Sequence, residues 1–402
     1  MYIFSRLRKS RAIRKRKKAT VLFNVFNTSH SKTALLSYVK EIFEDERINI
    51  DKAHTNRYTT LCIAEIVSEL GYNVDVINWQ SSYTEDPGSY DLVLGLGRSL
   101  ENILISKYRG SGPRTICFAT GCNPTFSNKV TMQRVTDFYL KKGKVLLSSS
   151  RYIREDWPLQ HSIADWIILH GDFFARKTYR EYNFDSVLAP VYQFHCIEKD
   201  DNTWLGAKKN YLWFGSEGAI HKGLDLLIDT FKDLQEYNLH ICCHLHREPE
   251  FFEIYKEVIE KSENIIYHGF VRVDSEVFKN ILNICAFVIF PSVSEGNCAA
   301  VITCMANGGL IPVVTRNADI DLEQYGVEIM GFTENDILSA IERSQQLSLD
   351  ELKSQTAKIL HTTKNYHSFE HFREDFKNKL IKALKSPNFF EKMDAMDRTK
   401  NH

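Results

Sequence analysis

Two loops in the second half of the chain carry residue types at spacings suited to holding an anion. The first, GSEGAIHKGL at 215–224, has Gly215, Gly218 and Gly223, with Ser216 after the strand end and Lys222 at the start of an expected helix. Glycine lets backbone approach a phosphate closely, and the first N–H groups of a helix have no internal acceptors. Lysine adds a charge that strengthens any hydrogen bond to the anion. The second loop, within PSVSEGNCAAVITCMANGGLIPVV at 291–314, follows the apolar run ICAFVIF. Glu295 and Gly296 lie in its turn, and Asn297 and Cys298 offer backbone N–H groups before a helix of small and apolar residues. A carboxylate between an apolar strand and an apolar helix is costly unless hydrogen-bonded, so Glu295 reads either as a ligand contact or as a plain helix cap.

These loops need a sheet to position them, and the chain has the rhythm of one. Short β-branched or apolar runs alternate with longer amphipathic stretches, the pattern of a parallel sheet with right-handed crossovers. In the first half we expect strands at 20–26, 73–78, 91–96, 115–119, 144–148 and 165–169, and a helix near 57–70 closed by Gly71. Residues 28–56 read as a long passage, partly helical around 33–47, ending in His54-Thr55-Asn56 at a helix start. That position, on the C-terminal side of a parallel sheet, suits an acceptor contact by His54 or Asn56, with a helix cap as the plainer reading of Thr55 and Asn56. The turn Thr120-Gly121-Cys122 occupies an equivalent place. After a polar linker at 198–209, a second series begins at strand 210–214 and runs through strands at 238–243, 264–267, 285–290 and 311–315. Helices are expected at 223–236, 249–261, 274–283 and 299–307. A last stretch, 368–385, sets Phe369, Phe372 and Phe376 at helical spacing, a packing stripe.

A length of 402 residues exceeds the usual single-domain size of about 100 to 200, so two domains are expected. They are residues 19–197 and 210–367, with a basic arm at 1–18, a closing helix at 368–388 and a tail at 389–402. The formal charge is zero, with 51 bases against 51 acids, but nine of the bases crowd into residues 1–18, which hold no acid. An acidic body with a basic arm is not the pattern of a nucleic-acid protein. The arm also carries Tyr2, Ile3, Phe4, Leu7 and Ile13. It reads as an anionic-membrane contact or as a solvated terminus. No apolar stretch approaches the roughly 18 to 20 residues of a membrane span, and the N-terminus lacks the apolar core of a secretory signal. We therefore expect a cytoplasmic protein, peripheral on the inner face of the membrane if the arm binds there. The nine cysteines form no CxxC pair and read as reduced thiols.

The order of features from 210 to 315 resembles the donor-binding domain of retaining glycosyltransferases of family 4, which have the GT-B fold of two Rossmann-like domains facing across a cleft. It is carried by Gly215, Lys222-Gly223-Leu224-Asp225, His268-Gly269-Phe270-Val271, Pro291-Ser292, Glu295-Gly296, Met305-Ala306 and Pro312-Val313-Val314. The first half matches in outline only. The resemblance implies a donor diphosphate on Lys222 and the backbone at Gly215 and Ser216. Glu295 and the amides of Asn297 and Cys298 would face the sugar, and the base would lie near Gly269, Phe270 and Arg272. It also implies no metal and no cofactor, since lysine or arginine and helix N-termini neutralise the leaving diphosphate. Asp319-Ile320-Asp321 is accordingly read as no metal site. Two departures stand out. Ser216 occupies the place of a usual arginine, and Thr303 that of a second glutamate eight positions after Glu295, which replaces a charge-assisted bond with a neutral one.

The resemblance thus implies sugar transfer with retention from a nucleoside-diphosphate sugar to a saccharide or lipid-linked saccharide, in surface polysaccharide synthesis, with no protein base identified. The rivals are a catalytically silent nucleotide- or glycan-binding scaffold, motivated by Ser216 and Thr303, and a nucleotide-sugar epimerase on the same fold.

Overall fold

The computed structural model describes residues 20–44, 55–81, 87–106, 112–153, 157–389 and 391. The basic arm, His54 and nearly all of the tail lie outside these residues. Two sheets organise the chain. The first contains β1 (Val21–Leu22), β2 (Lys32–Tyr38), β3 (Tyr72–Asn78), β4 (Leu92–Gly95), β5 (Arg114–Ala119), β6 (Trp166–His170) and β7 (Phe184–Val187). Their order is β1-β3-β2-β4-β5-β6-β7, parallel throughout except for the antiparallel edge strand β1. The second contains β8 (Asn210–Phe214), β9 (Asn238–Cys242), β10 (Ile265–Gly269), β11 (Phe287–Phe290), β12 (Ile311–Val314) and β13 (Val327–Glu328). Its order, β10-β9-β8-β11-β12-β13, is parallel throughout and is that of a dinucleotide-binding sheet.

Central parallel strands are covered on both faces by helices, so they read as continuous apolar runs. Phe287, Val288, Ile289 and Phe290 of β11 are all fully buried. In the first half the same rule defeats the periodicity argument. The passage 28–56 contains β2, an interior strand of the sheet between β3 and β4, where helix was expected around 33–47. Its Ala34-Leu35-Leu36 are buried on both faces and show neither a helical nor an alternating period. Residues 144–148 form no strand. Val145 and Leu147 are exposed, and a short 3-10 turn, Leu147–Ser149, follows instead. The strand expected at 20–26 shortens to β1, with Phe23 exposed beyond it. Within 198–209 the chain is helical over Asp201–Ala207, capped by the Asp200 carboxylate accepting from the Thr203 amide at 2.7 Å.

The final helix, Phe369–Lys385, leaves the second domain and packs on the first. Phe372, Phe376, Leu380 and Ala383 join the same buried cluster as Leu36, Val74, Leu94 and Phe118. Arg373 pairs with Glu65 and Glu69, and Lys377 with Glu69, to fix it on the helix Thr55–Glu69. Eight cysteines are buried free thiols, and Cys196 is exposed. No helix among the described residues is long and apolar enough to cross a membrane.

Candidate active site

In a doubly wound sheet, ligands bind beyond the C-terminal strand ends where the strand order reverses. In the second sheet that point lies between β8 and β11, so the loops leaving these two strands, 215–223 and 291–298, are neighbours. The Val293 amide donates to the His221 carbonyl at 3.1 Å. A side chain at Gly223, whose φ is +69°, would strike Pro291 at 2.6 Å. The local fold of the first loop is set by Glu248, whose buried carboxylate accepts the amides of Gly218 at 2.6 Å and Ala219 at 3.1 Å.

Lys222 is buried, and its Nζ donates to the exposed Ser216 hydroxyl at 2.8 Å. Burial lowers its pKa to about 8, with repulsion from Arg151 acting the same way and Glu295, Cys298 and Glu248 opposing. The Glu295 carboxylate accepts from Ser292 Oγ at 3.0 Å, and lies 3.6 Å from Arg151 Nη1 and 3.9 Å from His221 Nε2. Burial pushes its pKa up, but Arg151, Lys222, His221 and the Ser292 bond together hold it below the ordinary carboxylate value. His221 is neutral. Its Nε2 is 2.7 Å from the Ser294 carbonyl, which only accepts, so the proton sits there and Nδ1 accepts from Thr131 Oγ1 at 3.0 Å. Burial first, then Arg151 and Lys222, lower its pKa to about 4.

The first domain closes over this edge. Arg134 of the helix Pro124–Lys142 meets Asp225 at 2.6 Å, and Lys142 meets Asp229 at 2.9 Å. Between the domains lies a cavity of about 300 Å³, lined by Thr120, Gly121 and Cys122 on one side and by His221, Glu295 and Gly296 on the other. Cys122 Sγ donates to the Glu295 carbonyl at 3.2 Å. Trp79, Arg151, Gln160 and His161 also line the cavity, and the sequence reading assigned none of them a role. Gln160 is 1% exposed. Its Oε1 accepts the Gly97 amide at 3.0 Å, while its Nε2 has no hydrogen-bond partner.

Other expected site residues fall elsewhere or are already engaged. The amides of Asn297 and Cys298, expected to face a sugar, donate instead to Asp319 Oδ2 at 2.8 Å and to the Ala318 carbonyl at 3.1 Å. Thr303 Oγ1 donates to the Ala299 carbonyl at 2.7 Å within its own helix, Ala299–Gly308. Gly269 ends β10 at φ +72°, and the exposed Phe270 stacks on His244 with ring centroids 4.3 Å apart. Asn56 stands on the helix Thr55–Glu69, outside the cavity lining, and its carbonyl accepts from Thr60 Oγ1 at 2.8 Å. Asp319 is a fastener between the domains. Its fully buried carboxylate accepts the amides of Asp172 at 3.1 Å, Ala175 at 2.9 Å and also Phe174 from the first domain, besides Asn297 from the second. Close approach is aided by Gly296, where a side chain would meet the His170 carbonyl at 2.4 Å and Gly121 at 2.5 Å.

Residues 208–347 match the family described as glycosyl transferases group 1. No curated protein matches the chain. A solved glycosyltransferase from Rickettsia africae ESF-5 is similar at 13% identity with a TM-score of 0.53, covering 89% of this chain and 100% of that one. Anabaena Alr3699/HepE, solved in complex with UDP and glucose, is similar at 10% identity with a TM-score of 0.52, covering 87% and 99%. A UDP-forming trehalose-phosphate synthase from Burkholderia xenovorans follows at 11% identity with a TM-score of 0.50, covering 83% and 80%. The molecule is therefore a GT-B protein, with two Rossmann-like domains facing across a cleft. Within its second domain, the segment 208–347 is similar to the group 1 glycosyltransferases.

Proposed function

We propose that the chain transfers a sugar from a nucleoside-diphosphate sugar to a saccharide or lipid-linked saccharide acceptor, with retention and without a metal ion, in surface polysaccharide synthesis. The observation that carries this reading is that the loops bearing Lys222 and Glu295 lie side by side at the strand-order reversal of the second sheet, joined by the Val293 amide donating to the His221 carbonyl at 3.1 Å. Lys222, with the backbone at Gly215, Ser216 and Gly223, takes the diphosphate. As the glycosidic bond breaks, negative charge gathers on the departing phosphate, and a cation already fixed and desolvated stabilises it without reorganisation. Glu295, kept ionised by its neighbours, accepts from the hydroxyls of the transferred sugar, which lies towards Gly296. The base lies near Gly269 and Phe270. The acceptor enters the cavity beside Thr120, Gly121 and Cys122, where the unpartnered Gln160 Nε2 donates to one of its oxygens. Uridine diphosphate sugars are the first donors to try, because HepE was solved with UDP and glucose.

A panel of UDP, GDP and ADP sugars with release of nucleoside diphosphate as the readout tests the proposal. Release from one donor is expected, falling by about 100-fold or more in Glu295→Ala and Lys222→Ala. A donor that binds yet never turns over with any acceptor would favour the second reading, a silent nucleotide- or glycan-binding scaffold. That reading draws support from the Asn297 and Cys298 amides and the Thr303 hydroxyl being engaged within the protein.

The basic arm is the proposed contact with an anionic membrane, each base near the surface contributing about 1 kcal/mol. Deleting residues 1–18 should abolish sedimentation with phosphatidylserine vesicles and leave donor binding intact. Undiminished sedimentation of the shortened chain would end the idea.

A further inference from the structure

The loop 215–223 has one cation for a diphosphate, because Ser216 follows the strand end. A second cation reaches the loop from the other domain. The turn 147–153 of the first domain is docked there by backbone, with the amides of Ile220 and His221 both donating to the Ser149 carbonyl at 3.2 Å. The turn is braced from behind, where Asn128 exchanges two hydrogen bonds of 2.8 Å with the backbone of Ile153. Arg151 sits at its tip with φ +51°, a left-handed conformation that a long side chain adopts only under constraint. Its stem lies on Gly218, where a methyl group would come within 2.5 Å of the arginine Cγ. Its guanidinium lines the cavity and is half exposed, and it reaches Glu295 only at 3.6 Å, longer than a hydrogen bond.

We propose that Arg151 supplies from the first domain the second positive charge on the donor diphosphate, so that the anion site is completed only when both domains are together. Three features support it. A guanidinium has five donors in a fork that fits phosphate oxygens, and the long contact with Glu295 leaves that fork open. Burial lowers the basicity of Lys222 most and the neighbouring positive charge of Arg151 lowers it further, and a bound anion between the two relieves that repulsion. A diphosphate carries more than one negative charge, which Lys222 alone does not balance. The inference rests on the donor site proposed above and adds to it the residue that replaces the missing charge at position 216.

The test is calorimetric titration of the full-length chain with UDP, GDP and ADP, alongside ligand-observed NMR of the matching nucleosides. Arg151→Gln is expected to weaken the preferred diphosphate ten- to a hundredfold and to leave the nucleoside unchanged. Adding Ser216→Arg to that variant should recover at least tenfold, which a merely structural role for Arg151 would not allow. The inference is overturned if Arg151→Gln binds the diphosphate as the parent chain does, or loses nucleoside and diphosphate in equal proportion. If Lys222→Gln loses the diphosphate while Arg151→Gln keeps it, only this inference falls. If the parent chain binds none of the three, the proposed function falls with it.

Discussion

Asp319→Ala should destabilise the protein by about 3 to 5 kcal/mol, because each buried amide left without an acceptor costs on the order of 1 to 3 kcal/mol and neighbours relax together. Four amides depend on that carboxylate, three of them in the segment 172–175 of the first domain. Water has no easy way in, since Asp319 is fully buried and Gly171 presses against its carboxylate. Asparagine should not rescue the loss, because its NH2 group would confront two of the same donors. Urea unfolding measures the effect, and small-angle scattering should show the domains drawing apart. A midpoint equal to that of the parent chain would show that the four bonds do not hold the domains together.

Lys222→Met should do the opposite to stability while removing function. A buried ammonium whose pKa falls from 10.5 to about 8 is held in the folded state at a cost, one pKa unit corresponding to about 1.4 kcal/mol. Methionine fills similar space without the charge, so the ligand-free chain should gain on the order of 1 to 3 kcal/mol at neutral pH, less what Glu295 loses with its partner. The pH dependence follows from linkage. Between about 8 and 10.5 the unfolded chain binds the lysine proton and the folded chain does not. The parent chain therefore becomes relatively more stable as pH rises through that window, and its gap to the variant closes. Diphosphate binding should fall by about 100-fold in the same variant. Thermal unfolding at pH 7 and pH 10 checks the first part and calorimetry the second. A variant less stable than its parent at both pH values would mean that Lys222 is a structural residue.

The parallel α/β character and most of the second domain could be read from the sequence, because buried strands there are short apolar runs separated by amphipathic helices. The helix Pro249–Lys261 was expected at those limits, and the closing helix, expected over 368–388, starts one residue later and ends three residues earlier, at Phe369–Lys385. Strand β2 was misread because Ala34-Leu35-Leu36 gives no period to count. Around the candidate site, the two neighbouring loops that carry Lys222 and Glu295 were legible because glycines mark each of them and the charged residues lie inside them. Arg151 and Asp319 were not. Each acts on a partner more than 140 positions away, Arg151 on Glu295 and Asp319 on the amides at 172–175, and no local pattern encodes such a meeting. The amides of Asn297 and Cys298 looked available because their acceptors, Asp319 and the Ala318 carbonyl, lie across the next helix and strand, beyond the reach of a local pattern.

The closing helix bears on how the chain is made. Phe372, Phe376 and Leu380 complete the core of the domain that is synthesised first, yet they leave the ribosome only after the second domain has been made. The leading half of a nascent chain therefore carries an open apolar groove throughout translation of the trailing half, and a copy halted before position 369 would keep it exposed to chaperones and proteases.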